Sequence, residues 1–505
     1  MARNKGKGRR SARSRQKRGL RALSERFKGH QPLGGSVAER EHGLAAYYTE
    51  KERYVGRIAG GLPNFFILLG DKGVGKSAIQ EMLANELKGR PRRVVKLKPE
   101  DIAIFSLTKD RLIEPSAGID QRWFAKTLWT YLICVEIVRR EFHDFEGLWQ
   151  LLKARFRGDA RRAKRLFEKA YSPEREQSMA DRFVALVAEI ELEHVNAGGA
   201  TSARLQTRES SETMSRHSVL HDLRELERRL DETLDHDYLI LFDELDQDWN
   251  AETGQRVLLE QLIVAAESLS RGRGRRVSSC ISMRKDIFAT LNIDNADKMR
   301  DSLVHVSWEA GSLAKMVERR IQHHGKDPND KSLDTIFSPD CSREKMWAVA
   351  SGNPRRAIQI VERSILRTQE LGGSLVERSV HLEVLRECSD QFLQDNETVH
   401  RVLYPDLRKV ALLLRGQKKS FGYADFEFFA LRVAEASDAQ QMPGWATESA
   451  GHPLRLALHM LKTGVLLAKL NRKDVAKPFN ETVHPLDDSL WFEIHSAYAL
   501  ALGVL

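Results

Sequence analysis

Thirteen residues constrain this chain more than any others: Phe65–Ser77, FFILLGDKGVGKS. Five apolar residues, Phe65, Phe66, Ile67, Leu68 and Leu69, run into Gly70-Asp71-Lys72-Gly73-Val74-Gly75-Lys76-Ser77-Ala78, and the helix-forming IQEMLANEL comes directly after. The order is strand, glycine loop, helix, and it fits G-x-x-x-x-G-K-[ST] in the context that gives that pattern meaning. Glycines let the backbone curl into a nest of N–H donors around a phosphate, which Cβ atoms at those positions would crowd. The spacing sets Lys76 to reach the β- and γ-phosphates of a nucleotide and the Ser77 hydroxyl to ligate magnesium, with the positive end of a helix dipole behind them. Gly70–Ala78 is therefore the candidate nucleotide-binding set, since a chance glycine-rich turn would not bring strand, Lys-Ser pair and helix together.

A second stretch bears on catalysis. Tyr238-Leu-Ile-Leu-Phe242 closes in Asp243-Glu244-Leu245-Asp246. An apolar run ended by acids suits a buried central strand that delivers carboxylates to a magnesium nucleotide. Asp243 is expected to hold the metal through water, and Glu244 to be the general base that polarises the attacking water. Alone, a buried strand with a polar C-terminal turn would explain the pattern as well; the loop upstream favours the catalytic reading. Further strands are expected at Val94–Leu97, at Val277–Met283 ending in Arg284, and at Ser302–Val306 before Trp308. Five strands with helices between them predict an α/β fold: a three-layer α/β/α arrangement around a doubly wound parallel sheet, with its ligand at the strand C-terminal ends.

The rest of the chain divides by composition. At 505 residues, 41% hydrophobic and 30% charged, it has the length of two to four domains and the balance of a soluble globular protein. No apolar run reaches membrane-span length and no N-terminal h-region is present, so a cytoplasmic location without a membrane partner is expected. Cys134, Cys280, Cys341 and Cys388 lack C-x-x-C spacing, which indicates neither a zinc site nor a disulfide framework. Residues 1–30 hold twelve Lys or Arg against one acid, Glu25, more than the whole chain's net charge of +10. A disordered basic arm is expected over 1–35; nucleic-acid phosphate contact and a solubilising tail both account for it.

The nucleotide domain is expected over 36–310, with a helical lead-in at Ala38–Gly61 and a helical insertion over about 99–233. That insertion holds WFAKTLWTYLICVEIVRREF at helical spacing, a basic helix at Ala154–Lys169 whose face is better read as solvated, and a polar loop at Asn196–Ser218. A helical lid is expected over 311–395. Within it, Ser351-Gly352-Asn353-Pro354-Arg355-Arg356 breaks one helix and opens the next, where Arg355 and Arg356 could face a nucleotide or simply start a solvated helix. Over 396–505, helices at DLRKVALLLR and GHPLRLALHMLKTGVLLAKL, with strands near Phe479–Val483 and Ser489–His495, suggest a winged-helix-like domain.

With these motifs in place, the chain resembles the additional-strand P-loop ATPases on the AAA+ and STAND side. It is particularly similar to a bacterial group with a KGxGKSA loop, here Lys72–Ala78, an FDELD-type second motif, here Phe242–Asp246, and a strand end like Arg284-Lys-Asp-Ile287. The resemblance implies sheet order 5-1-4-3-2 and a lid over the nucleotide. It implies that Arg284 is a sensor arginine, that Gly352 and Pro354 form a turn touching the nucleotide, and that Arg355 or Arg356 serves as the lid arginine. Arg300 stands where related oligomeric ATPases place a trans-acting arginine; a surface pairing with Asp297 or Asp301 is the alternative. The activity implied is hydrolysis of ATP with Mg2+, in a nucleotide-dependent switch of bacterial signalling or defence, acting with copies of itself or an effector protein. A nucleic-acid-binding ATPase using the arm and the winged-helix-like domain is the alternative. Glu244 argues against a module that binds without hydrolysing. The long insertion departs from the AAA+ pattern and no aromatic-Gly pore loop is found, so a translocating motor is not implied.

Overall fold

The computed structural model describes residues 21–60, 64–87, 92–98, 121–141, 234–271, 276–478 and 489–504, apart from gaps of one or two residues within those spans. They form two compact units: one built from 51–70 and 79–305, the other from residues through Glu50 together with 71–78 and 306 onward. No helix among the described residues is long and apolar enough to cross a membrane.

The first unit is the parallel sheet. Its elements are β1 (Phe65–Leu69), α1 (Lys76–Glu86, whose first turn is shared with the other unit), β2 (Arg92–Leu97), α2 (Gln121–Glu141), β3 (Asp237–Phe242), α3 (Thr253–Ser270), β4 (Val277–Met283) and β5 (Leu303–His305). The strands lie in the order β2-β3-β4-β1-β5, every pair parallel, which is the expected order. In the register, Ile67 pairs with both Ile281 and Leu303. In a parallel sheet the crossover helices cover both faces, and this is why FFILL reads as an unbroken apolar run rather than an alternating one; all five of its residues are buried.

One face carries a core formed by Phe65, Ile67, Leu69, Ile240, Phe242 and Ile281 with residues of α2 and α3. Trp129 of α2 is central to it. Its indole N–H donates to the Leu258 carbonyl at 3.0 Å, and its ring meets Phe242 edge-on at 6.4 Å. Within the helical insertion expected over about 99–233, Gln121–Glu141 is a helix, and it packs on the sheet between β2 and β3 in the chain. The basic helix at Ala154–Lys169 and the loop at Asn196–Ser218 lie outside the described residues. The lead-in is broken rather than one helix, with a turn at Leu44–Tyr47 and a π-helical stretch at Lys51–Gly56 that continues into Arg57–Ala59.

The second unit holds α4 (Ala310–His324), α5 (Arg343–Ala350), α6 (Pro354–Glu370), α7 (Arg378–His400), α8 (Leu407–Leu412), β6 (Ser420–Gly422), α9 (Tyr423–Gln440), α10 (Gly444–Ala450), α11 (Pro453–Lys462), β7 (Leu466–Lys469) and β8 (Trp491–Ile494). The boundary expected at 395–396 falls inside α7, which runs on through His400. From α8 to β8 the chain forms helices around a three-stranded antiparallel sheet of order β6-β8-β7, the winged-helix arrangement. The single helix expected over GHPLRLALHMLKTGVLLAKL divides. Gly464 adopts φ +69°, ending α11, and the residues beyond it pair as β7. The strand expected near Phe479–Val483 lies outside the described residues.

The disordered arm expected over 1–35 is corrected at its C-terminal end. Leu23–Arg26 is a helical turn, and Leu23, Arg26, Phe27 and Leu33 are buried. Leu23 N–H donates to the Gly373 carbonyl at 3.1 Å, and Gln369 Nε2 donates to the carbonyls of Leu23 and Phe27. Arg26 forks onto Asp330, its Nε donating at 2.9 Å, and also reaches the Ser374 and Thr335 carbonyls. The apolar Leu23 and Phe27, spaced four apart among basic residues, are the physical reason this end docks. Both Arg26 and Asp330 side chains are 1% exposed, so removing one leaves the other buried without its counter-charge. Arg26→Ala is expected to cost about 3–5 kcal/mol in the unfolding free energy measured by denaturant titration. A truncation that tests the basic tail must therefore end before Leu23.

Candidate nucleotide site

The phosphate loop comes after β1, and its shape depends on two glycines. Gly73 and Gly75 take φ +83° and +100°, conformations that carry strain for any residue with a Cβ. Between them the loop closes on itself: Val74 N–H donates to the Asp71 carbonyl at 3.3 Å, and Lys76 Nζ donates to the same carbonyl at 3.0 Å. Lys76 and Ser77 open α1 and are partly exposed, so an amine and a hydroxyl sit together at a helix N-terminus.

The lid turn lies in the same unit as the loop. Ser351 and Gly352 are both left-handed, at φ 48° and 68°, and turn the chain from α5 into α6. Asn353 caps α6, its Oδ1 accepting from Arg356 N–H at 3.3 Å, and its Nδ2 donates to the Lys72 carbonyl at 2.8 Å. Pro354 at N1 preorganises the helix start. Of the two candidate arginines, Arg355 lies on the loop side, its Cβ 3.2 Å from where a Cβ on Gly73 would stand. Arg356 does not. Its guanidinium donates to Tyr498 Oη at 3.2 Å and lies over the Phe392 ring at 5.0 Å. The aromatic residues of the winged-helix region and of α7 capture it instead.

In the sheet unit, β3 ends in Phe242 and delivers Asp243, which is buried and whose N–H donates to the Leu97 carbonyl at 3.2 Å. Glu244 adopts φ 57°, unusual for a residue with a side chain and a form of strain that gathers at functional sites. Its Oε1 accepts from Lys98 Nζ at 2.6 Å. Because β1, β3 and β4 are parallel, the ends of all three open at one edge of the sheet, where Gln80 of α1 binds the Phe242 carbonyl and the Ser282 hydroxyl at 2.8 and 2.7 Å. Arg284 comes after β4 but is held by Asp286, its Nε donating at 3.0 Å, with Asp246 at 3.7 Å. Burial alone would lower its pKa; the two carboxylates more than reverse this. Arg300 is exposed on a 3-10 turn before β5, and among the described residues it pairs with neither Asp297 nor Asp301.

Asn353, Trp308, Gln80 and Lys98 were not among the sequence candidates. Asn353 had a signal, an N-cap residue with proline next to it; the other three are single residues whose partners are set only by the fold. Ser77 offers a hydroxyl and Asp243 a carboxylate, each a hard oxygen donor of the kind magnesium takes. No group of three or more His, Cys, Asp or Glu among the described residues could hold an ion by itself.

Five parallel strands in the order 2-3-4-1-5, the glycine loop after β1 and the acids after β3 define a P-loop nucleoside-triphosphatase fold of the additional-strand type. No family model matches the chain, and no curated protein matches its sequence. Solved structures similar to it include the ORC1 protein of Aeropyrum pernix in complex with DNA, at 12% identity and TM-score 0.38 over 93% of this chain and 96% of that one. Cdc6p of Pyrobaculum aerophilum aligns at 12% identity and TM-score 0.31 over 95% and 98%. A Walker-type ATPase of Pyrococcus abyssi aligns at 13% and 0.38 over 90% and 96%. These are low structural scores, and the functional reading is carried by the chain's own strands, loop and side chains.

One titratable group in the lid unit gives a pH prediction. His495 is half-buried against Ser351, whose Oγ lies 3.2 Å from its Nε2. Burial, with Arg356 and Lys419 nearby, pushes its pKa down to about 3. The folded state therefore holds it neutral, whereas the unfolded chain protonates it near pH 6.5. Its contribution is full above that value and is lost as the pH falls toward 3. His495→Gln should flatten the decline in unfolding free energy between pH 7 and 4, measured by denaturation at each pH.

Proposed function

We propose that this protein is a magnesium-dependent ATPase of the AAA+/STAND type that works as a nucleotide-dependent switch in bacterial signalling or defence. The single observation that carries the reading is the loop itself, with Gly73 and Gly75 left-handed and Lys76 and Ser77 at the start of α1. In this reading the N–H groups of Gly70–Ala78 bind the phosphates, and Lys76 exchanges its bond to the Asp71 carbonyl for the β- and γ-phosphates. Ser77 and Asp243 would hold Mg2+, which neutralises phosphate charge when bound. Glu244 orients and deprotonates the attacking water, and it must leave Lys98 or share it to do so.

Arg284 acts as a sensor only by exchanging a carboxylate partner for a phosphate, and Arg355 is the lid arginine. Arg300, exposed and unpaired by Asp297 or Asp301, is assigned to a neighbouring subunit's nucleotide, which makes the working form a homo-oligomer; an effector protein is the other partner of this reading. A cytoplasmic location goes with it. The winged-helix region favours one second reading. Arg455 and Lys462 of α11 and Arg472, Lys473 and Lys477 beyond β7 are all exposed, a cationic set that suits nucleic-acid phosphates. With residues 1–30, it would make the chain a nucleic-acid-binding ATPase.

Phosphate release from ATP by the full chain, with and without DNA or RNA, tests both readings. Stimulation that falls steeply with salt supports the second, and its absence supports the switch. Lys76→Ala should abolish hydrolysis, and unchanged turnover in the folded variant would refute the loop assignment. Glu244→Gln should slow turnover by about 10² to 10⁴ while ATP binding, measured by calorimetry, is retained. For Arg300, Arg300→Ala subunits should regain turnover when mixed with Lys76→Ala subunits; full activity of Arg300→Ala alone would remove the trans assignment.

A further inference from the structure

A loop that gathers N–H groups around a phosphate must also place its carbonyls. In a trans peptide unit the C=O and the next residue's N–H point in opposite directions. Turning an N–H toward a phosphate therefore turns the carbonyl of the same unit to the loop's back. Two units of this loop have that back side occupied. The Lys72 carbonyl, whose peptide carries the Gly73 N–H, accepts from Asn353 Nδ2 at 2.8 Å. The Val74 carbonyl, whose peptide carries the Gly75 N–H, accepts from Trp308 Nε1 at 2.9 Å.

Neither donor belongs to the loop or to the sheet. Trp308 stands just before α4, and Asn353 caps α6. Both are 7% exposed. The approach is close: a Cβ on Gly73 would stand 3.0 Å from Asn353 Oδ1, and one on Gly352 would stand 3.2 Å from the Trp308 carbonyl. Trp308 is fixed in turn by Tyr48, whose ring meets it edge-on at 5.7 Å. The glycine at 73 thus answers two demands, a left-handed backbone and room for the lid's asparagine.

We propose that Asn353 and Trp308 are positioning residues for the nucleotide's phosphates: by holding the Lys72 and Val74 carbonyls turned back, they hold the Gly73 and Gly75 N–H groups toward the bound phosphate. The proposal rests on the reading of Gly70–Ala78 as a nucleotide loop. It makes the lid a component of the cradle. A lid that lifts withdraws Asn353, and the Lys72–Gly73 peptide unit is then free to rotate, so lid position and nucleotide affinity are one equilibrium.

The test separates this role from helix capping and packing. Asn353→Ser and Asn353→Asp keep a capping oxygen for Arg356 N–H and lose the amide donor; Ser excludes a charge effect of Asp. Trp308→Phe keeps most of the ring and loses the N–H. Calorimetry of the full chain with MgADP and MgATP should show each variant binding about fivefold to tenfold more weakly. The unliganded melting temperature should change little, and KM for ATP should rise more than kcat falls. Asn353→Ala, which also loses the cap, should lower the melting temperature. Wild-type affinity in both Asn353→Ser and Trp308→Phe would overturn the proposal. If the wild type binds neither nucleotide, or Lys76→Ala binds as tightly as the wild type, the loop reading fails and this inference with it, a result recognisable without any Asn353 or Trp308 variant.

Discussion

The structure of the sheet unit depends on β1 being paired on both sides. The strand pairs with β4 along all five residues and with β5 from Ile67 to Leu69, and all five side chains are buried. That leaves its C-terminal end nowhere to go but over the sheet edge, and the glycines next in the chain can make the reversal there. The neighbouring strands share the direction, so the residues that end β3 and β4 arrive at the same edge. Chemistry at that edge is a consequence of parallel pairing, not of any one side chain.

The sheet was legible because its signals are local and redundant. Runs such as YLILF and VSSCISM declare a buried strand in themselves, and the glycines after FFILL mark the turn out of β1. The acids at 243 and 244 were legible for the same reason, as breaks at the end of an apolar run. What the sequence did not disclose depends on distant partners. Arg355 and Arg356 are adjacent and chemically identical, yet one borders the loop and the other is drawn to Tyr498 and Phe392. Arg26 looked like one more charge in a basic stretch until Asp330, more than three hundred positions away, gave it a buried partner. VLLAK after Gly464 continues a helical pattern and becomes a strand only because β8 is there to receive it.

The same long-range logic explains why Asn353 escaped notice as more than a cap. Its amide divides its two ends between two tasks, oxygen to the helix and nitrogen to the loop. Aspartate or serine would cap equally well, so the capping signal in the sequence does not distinguish the residue that also has a donor. Asparagine's identity matters for the half of the side chain that sequence periodicity never sees.

The continuity of α7 fixes where motion can occur in its unit. A helix of 23 residues, Arg378–His400, is about 35 Å long and behaves as a stiff rod. It packs along α6, from Glu383 beside Arg367 to Phe392 under Arg356, and its last turns lead into the helices that carry the winged-helix sheet. A rod has no joint in its middle, so rotation at one end is delivered to the other with gain: tilting about 35 Å of helix by about 10° sweeps its tip through about 6 Å. A displacement near the α6 end, where Arg367 meets Glu383 in the early turns of α7, would thus arrive at the C-terminal region as a shift wider than a side chain.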